Sequence, residues 1–440
     1  MKEKIINFLS NKKIAILGFG KEGQSTYNFI KNNIPNYDIT IIDQNPIENI
    51  NEKTITGPDY LNNLDQYDII LKTPGINIKV IDTTNIENKI YSQLELLLIT
   101  NNKNVIGITG TKGKSTTTTL IYNILKEQLD NVLLAGNIGI PILDQIEEAD
   151  DNTLFVVEMS SHQLEYINKS PHIGIILNLY EDHLDHAGSV EHYHACKLNM
   201  FKYQTNNDIA IYCSDNETLN NKIQKLNPNS IQYKVTKQYD ENAISLKENK
   251  VYYNNEVLYI DDNQRHILGD NNLENIMVAI FIAKLYNLDL KKAKKTIDEF
   301  TGLEDRLEYC GTYNNIKYYC DTIATIPEAT ISGIEALKDV NTLIIGGLDR
   351  GINYNEFIKF LNNSKIKNII CMPTTGHKIA EQLNTNKNIL KTDTLENAVE
   401  LAKKHTEPNT ICLLSPAAAS YEYFKNYIEK GNKFKELIKK

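Results

Sequence analysis

Short apolar runs alternate with longer stretches whose apolar residues recur every three or four places, and the alternation continues along most of the chain. Runs at residues 14–17 (IAIL), 38–43 (DITIID), 69–71, 105–109 (VIGIT), 154–157 (LFVV) and 173–177 (IGIIL) are too short for helices. They also lack a solvent-facing alternation, so they read as strands buried on both faces of parallel sheets. Polar or glycine-rich turns and helical periodicity separate them, the order of a strand–helix–strand fold. Residues 206–262 differ, being rich in Asn, Lys and Tyr with short alternating segments such as KVYYNNEVLYI, in which Asn254 and Asn255 make a hairpin turn. That stretch reads as peripheral sheet without chemistry. A helix begins near GDNN, and the last third alternates again, with strands in KYYCD, NTLIIGG, NIICMP and TICLLSP and helices from about Pro327, from Asn355 and at the end. Polar breaks at 101–104 and 301–306 divide the chain into residues 1–100, 101–303 and 304–440. The expectation is three α/β domains with mostly parallel sheets, and 440 residues give each room for its own core.

Charge and composition narrow the setting. Lys plus Arg number 47 against 56 for Asp plus Glu, a formal charge of −9, which argues against a broad basic face for nucleic acid. No apolar run approaches the roughly 18 residues of a membrane span. Six cysteines (Cys196, Cys213, Cys310, Cys320, Cys371, Cys412) are scattered without metal-ligand spacing. No basic head, apolar run and small-residue cleavage site opens the chain, and both features suit a reducing cytoplasm. The expectation is a cytoplasmic monomer acting on small molecules.

The richest stretch is VIGITGTKGKSTTTT, residues 105–119, a strand, a glycine turn and the first turn of a helix. Gly107, Gly110 and Gly113 permit backbone angles that turn successive N–H groups onto phosphate oxygens at the positive end of a helix. In this loop of Gly110, Thr111, Lys112 and Gly113, Lys114 reaches the β/γ-phosphates, and the hydroxyl of Ser115 or Thr116 sits on Mg²⁺. The usual loop has glycine where Ile108 stands. Glu158 directly follows the run 154–157, where a phosphate-loop enzyme needs a carboxylate for its metal. The next strand ends in Glu181, Asp182, His183, Asp185 and His186, groups that hold a hard cation or cap a helix start. Lys197 follows on a helical stretch with His192 and His194, and composition alone makes it a surface lysine. Asn271, Asn272 and Asn275 open a later helix, as caps or as amides for an adenine edge.

The first domain carries G-x-G-x-x-G at Gly18, Gly20 and Gly23, with a second strand ending in Asp43. That is the dinucleotide fingerprint, and read alone it favours NAD. Thr73, Pro74 and Gly75 end another strand at the edge where ligands of open α/β sheets collect. Asn137, in LAGNIGIP, offers an amide, and strand ends in the last domain carry Asp321, Thr325, Asp349, Arg350 and residues 415–420.

Taken together, the phosphate loop, EMSS, EDHLDH, the Lys197 helix and DRLE resemble the Mur ligase family over essentially the whole chain. NIGIP, SSHQLE, GLEDRLE and SPAAASYEYFKNYIEKGNKF are most similar to its glutamate-adding members. The resemblance implies a Rossmann-like domain for a UDP precursor (1–100), a central P-loop ATPase domain (101–303) and a Rossmann-like glutamate-binding domain (304–440). In place of NAD it implies UDP-N-acetylmuramoyl-L-alanine, with Gly20, Lys21 and Glu22 at the pyrophosphate and Asp43 and Gln44 at the uracil end. Thr73, Pro74 and Gly75 would lie nearby, and Asn137, Ser160 and His183 along the path of the alanine carboxylate. ATP would be met by residues 110–116, by Asn275 at the adenine, and by Arg306 and Asp321 closing from the third domain. Two Mg²⁺ would be held by Ser115, Thr116, Glu158, His183 and Lys197, the lysine as a carbamate formed with CO₂. Lys114, Glu158, His183 and Lys197 would form the catalytic set.

Thr325, Ser420 and Tyr427 match residues around the glutamate. Arg350 stands where the D-glutamate enzymes commonly have lysine, and Ile323 replaces another. DTIATIPEAT with GGLDRG leans towards a branch that takes L-glutamate, since Arg forks onto a carboxylate where Lys acts as a point charge. The activity implied is an ATP-dependent acid–amino-acid ligase of peptidoglycan precursor synthesis that forms an acyl phosphate, with hinges near Asn101 and Thr301. The alternatives are the L-glutamate variant, an NAD-linked dehydrogenase, a folylpolyglutamate synthase-type ligase and a non-catalytic nucleotide-binding regulator.

Overall fold

Strands covered on both faces must be apolar on both sides, and in this computed structural model the inner strands are. The structure describes all residues except 79, 137–139, 181–188, 385 and 422, and Asn271 through its backbone alone. The first sheet comprises β1 (Lys13–Leu17), β2 (Asp38–Asp43), β3 (Lys53–Thr56), β4 (Ile69–Lys72) and β5 (Ile90–Tyr91), all parallel in the order β3-β2-β1-β4-β5. The central sheet has nine strands: β6 (Val105–Thr109), β7 (Val132–Gly136), β8 (Leu154–Glu158), β9 (Ile173–Ile176), β10 (Ile209–Cys213), β11 (Ile231–Thr236), β12 (Ile244–Lys247), β13 (Lys250–Tyr253) and β14 (Glu256–Ile260). Their order is β14-β13-β12-β11-β10-β9-β6-β8-β7. The last sheet holds β15 (Glu308–Tyr313), β16 (Ile316–Cys320), β17 (Val340–Ile345), β18 (Asn368–Cys371), β19 (Asn388–Lys391) and β20 (Ile411–Leu414), ordered β15-β16-β20-β17-β18-β19 with only β15 antiparallel. These are three α/β sheets, the first and last Rossmann-like.

The chain forms two compact units. Met1–Asp261 with Glu274–Thr296 carries the first two sheets, and Asp262–Leu273 with Ile297–Lys440 carries the third. The break expected at residues 101–104 is a single helical turn, Asn102–Asn104, inside the first unit. One apolar cluster runs from Ile14 and Ile16 through Leu94, Leu96, Leu97 and Leu98 of the helix Gln93–Asn101 to Val105, Phe155 and Val157. Polar ties cross the same seam. Ser25 Oγ donates to Asp144 at 2.6 Å, and the Gln93 side chain accepts from Leu143 N at 3.0 Å while donating to Glu22 O at 3.0 Å. Apolar and polar contacts thus both continue across residues 101–104.

Residues 206–262 form the sheet edge expected of them. β10 pairs with β9 and β11 in parallel, so this stretch continues the central sheet, and at its rim the β12/β13 and β13/β14 pairings are antiparallel. The hairpin turn is where the sequence puts it, with Asn254 and Asn255 at φ 47° and 62°, the left-handed pair that a tight two-residue turn demands. Among the described residues no helix is long and apolar enough to cross a membrane.

The three glycines of the first loop have separate duties. A Cβ on Gly23 would lie 2.0 Å from Gly18 O, and one on Gly18, at φ +96°, would lie 2.1 Å from Thr73 Oγ1. Nothing comes within 4 Å of a Cβ on Gly20. The outer two glycines therefore let helix, strand and turn touch, and the middle one leaves bare backbone facing open space. Gly23→Ala should destabilise the protein by about 1–3 kcal/mol, whereas Gly20→Ala, at a helix N-cap, should cost under about 1 kcal/mol; thermal melts of the two variants side by side check this.

Candidate nucleotide and substrate sites

After β6 the chain turns through Gly110 at φ +156° and Gly113 at φ +84°. A Cβ on Gly113 would lie 2.8 Å from Oδ1 of the buried Asn275, so the amide predicted for an adenine edge stands against the phosphate loop. Gly113 caps the helix Lys114–Lys126, whose first N–H groups have no partners within the helix. Thr111 N donates to Asn178 O at 3.1 Å and Lys112 N to Asn178 Oδ1 at 2.8 Å, while Asn178 Nδ2 returns a bond to Lys112 O at 3.1 Å. Not every loop amide expected for phosphate is therefore turned towards open space. Two of them brace the loop, and Ser115 and Thr116 at the helix start are both half-buried.

Lys114 Nζ donates to the carbonyls of Gly110 and Thr111, each at 3.0 Å. Lys197 is no surface lysine. It is buried in the helix Val190–Lys202, its Nζ donates to Gly110 O at 3.0 Å, and the ammonium lies 4.7 Å from the ring centre of Tyr193. Two ammonium groups thus meet on one carbonyl of the phosphate loop. Glu158 is buried at the end of β8, in register with Ile108 of the neighbouring β6. Asn137 and His183 lie outside the described residues.

The precursor candidates of the first sheet gather at the carboxyl ends of β1, β2 and β4, beside the β1/β4 junction where the strand order reverses. Gly20 caps the helix Lys21–Asn33, with Lys21 exposed. Burial pushes the Glu22 carboxyl up to about 7, and nearby Lys72 pulls it back. Asp43 serves the loop itself, accepting from Phe19 N at 2.7 Å and Asn45 N at 2.9 Å, and Gln44 beside it is exposed. Thr73 donates to Leu17 O through N at 2.9 Å and Oγ1 at 3.2 Å, with Pro74 and Gly75 completing the turn. Ser160 forms a capping box with Gln163 at the helix Ser161–Leu164.

In the second unit Asp321, buried after β16, accepts from Leu307 N at 3.2 Å and Ser415 Oγ at 2.8 Å. Burial pushes its carboxyl up to about 7 against the pull of those bonds and of Arg306, itself exposed. The glutamate candidates Thr325, Arg350, Ser420 and Tyr427 all lie in this unit. Arg350 donates to Thr325 O at 3.4 Å, Ser420 lines a cavity of about 240 Å³ with Gly346, Gly347, Tyr423, Phe424 and Lys430, and Tyr427 begins the helix Tyr427–Leu437.

Sequence reasoning missed Asn178, Lys72 and Lys430. Asn178 had the signal of a polar residue just past a buried strand. Lys72 is buried at the end of β4, where a strand-end lysine reads as solvent-facing. Lys430 looks like a surface residue of a charged helix, yet it is buried, donates to Gly346 O at 2.8 Å, and burial holds its ammonium down to about 7.

A glycine loop at a buried strand end, a lysine within it and a carboxylate on the adjacent strand define a phosphate-loop nucleotide-binding protein of the α/β class. Comparison with known proteins is more specific. Residues 108–283 match the model of the Mur ligase middle domain, and residues 305–418 that of the Mur ligase, glutamate ligase domain. The UDP-N-acetylmuramoylalanine–D-glutamate ligase of Acetivibrio thermocellus is 32% identical, covering 98% of this chain and 97% of its own, and that of a Geobacillus species 33%, covering 97% of each. Among solved structures, a UDP-N-acetylmuramoyl-L-alanyl-D-glutamate–2,6-diaminopimelate ligase superposes with a TM-score of 0.61 at 16% identity, covering 97% of this chain and 92% of that one. The MurF ligase of Thermotoga maritima in complex with ADP gives 0.57 at 15%, covering 97% and 93%. The chain belongs to the Mur ligase family, and within it to the UDP-N-acetylmuramoylalanine–D-glutamate ligases.

The Asp321 environment has a pH signature. Its folded pKa, about 7, lies above the ordinary carboxyl value, so its stabilising contribution is full below about pH 4 and is lost as pH rises through about 7. Asp321→Asn should flatten that dependence, read as a difference in Tm from parent that changes between pH 5 and pH 8.

Proposed function

We propose that this chain is a cytoplasmic ATP-dependent ligase that joins D-glutamate to the alanine carboxylate of UDP-N-acetylmuramoyl-L-alanine in peptidoglycan precursor synthesis. The observation that carries the reading is the meeting of Lys114 and Lys197 on Gly110 O, at the strand end next to Glu158. A carboxylate is a poor acyl donor because its oxygen leaves badly. Attack by that oxygen on the γ-phosphorus breaks the bond to ADP and gives an acyl phosphate. The amine of glutamate then attacks the acyl carbon, loses a proton and expels phosphate.

Each group on the page has a place in that sequence. Lys114 offsets charge on the γ-phosphoryl oxygens, and the amides at the helix start hold the phosphates. Ser115, Thr116 and Glu158 are oxygen donors that suit a hard divalent cation, with His183 proposed for a second. Bound Mg²⁺ supplies further screening of phosphoryl charge. The buried amine of Lys197 beside the loop suits a carbamate, which would turn a cation into a metal-facing anion. Bare backbone at Gly20, with Lys21, Glu22, Asp43, Gln44 and the Thr73–Pro74–Gly75 turn, would receive the uridine diphosphate, and Asn137 and Ser160 its peptide end. Asn275, Arg306 and Asp321 complete the proposed nucleotide contacts, and Thr325, Arg350, Ser420 and Tyr427 those to glutamate. The working domains are residues 1–100, 101–303 and 304–440.

Purified protein given ATP, Mg²⁺ and the precursor should release phosphate with D-glutamate and far less with L-glutamate. Release with L-glutamate alone would establish the opposite hand, and nucleotide binding without any release would establish a regulator. Lys114→Ala and Glu158→Ala should each lower kcat by at least about 100-fold with Tm unchanged within error. Lys197→Ala should lose activity similarly and regain part of it with added short carboxylic acids; full activity without them would remove the carbamate from the mechanism.

A further inference from the structure

Away from the phosphate loop, three side chains of the central domain converge on one point with no duty in the ligase reaction. The helix Val190–Lys202 puts His192 and Cys196 four residues apart, hence on one face. Glu165 follows the helix Ser161–Leu164, and Asn199 Nδ2 ties the two segments through Leu164 O at 2.9 Å. His192 Nε2 lies 2.8 Å from Glu165 Oε1 and 3.3 Å from Cys196 Sγ, and the three donor atoms lie within 4.8 Å of one another. His192 Nε2 can give a hydrogen to the carboxylate or accept one from the thiol but not both, so in either tautomer one of the two contacts is the weaker.

We propose that Glu165, His192 and Cys196 form a binding site for one Zn²⁺ ion. A tetrahedral zinc with ordinary Zn–S, Zn–N and Zn–O bonds holds its donors about 3.3–3.6 Å apart, so the pairs at 2.8 and 3.3 Å need to move by only a few tenths of an ångström to admit the metal. The set of thiolate, imidazole and carboxylate is softer than the oxygen shell proposed for Mg²⁺, and it selects zinc by chemistry rather than by charge. The Glu165 side chain is 6% exposed and that of His192 41%, which leaves an entry path and a fourth position for water on the imidazole side. Lys197 comes next in the helix, about 100° further round it, and points to Gly110 O, so the two chemistries occupy different faces. Zinc here would pin the helix bearing Lys197 to the segment that runs on from Glu158 and Ser160, and its occupancy would tune how rigidly the ligase site is held.

Cobalt(II) added to the metal-stripped full chain, with Mg²⁺ in excess to hold the oxygen sites, tests the proposal without an activity assay. About one equivalent should bring up a thiolate-to-cobalt charge-transfer band in the near ultraviolet together with intense visible bands of tetrahedral cobalt, and Zn²⁺ should bleach both. Cys196→Ser should remove the near-ultraviolet band, and His192→Asn should weaken cobalt binding by at least about 10-fold. His192 is the more exposed ligand, so its variant carries the test if Cys196→Ser does not fold. Absence of a thiolate band in the parent, its persistence in Cys196→Ser, or unaltered affinity in His192→Asn would each overturn the site.

Discussion

Backbone N–H groups at the ends of parallel strands must find acceptors, and the way this chain supplies them sets the shape of everything around the ligands. In the first sheet the carboxylate of Asp43, at the end of β2, accepts from Phe19 N in the loop after β1. In the central sheet Asn178, just past β9, does the same for Thr111 and Lys112 in the loop after β6. In the last sheet the problem is inverted, since it is the Gly346 carbonyl after β17 that needs a donor, and the buried Lys430 ammonium provides it. Each glycine turn is thus locked by a polar group from elsewhere in the same unit. Locked turns keep their open faces in place without help from what binds there, which is the preorganisation that phosphate chemistry requires.

The same locking explains why charge is concentrated where apolar burial is greatest. Lys197 and Lys114 converge on a single carbonyl, and Glu158 sits fully buried one strand away. Lone charges in such surroundings are costly. In the proposed function, set round a loop that would receive a polyanion and its cations, they become a field matched to the ligand. Asp321 in the other unit shows the alternative outcome, with burial favouring its protonated form.

Much of this was legible in the sequence. The parallel sheets follow from short, wholly apolar runs such as VIGIT and LFVV, and the Asn254–Asn255 turn from its residue types. The phosphate loop, Glu158 and the first glycine fingerprint were visible as motifs because their spacing is local. What escaped depends on contacts distant in sequence. The burial of Lys197 and Lys430 is decided by what packs over their helices, and Lys72 lies against the distant Tyr166 ring. The apolar contacts that continue past Asn101 are likewise invisible in the sequence, because a polar break looks alike whether or not a core runs beneath it. Assigning Asp262–Leu273 to the second unit required knowing where the chain returns.

The spacing of Gly18, Gly20 and Gly23 invites a reading as a ligand's signature, yet two of the three answer to collisions inside the protein. Packing alone is reason enough to keep them. A descendant of this chain that had abandoned its nucleotide-sugar could keep both outer glycines for as long as it kept the strand and helix they join, while the central one drifted. Pattern searches that weight the three positions alike would still report the motif in such a relic, and the middle glycine is the one whose loss would date the change.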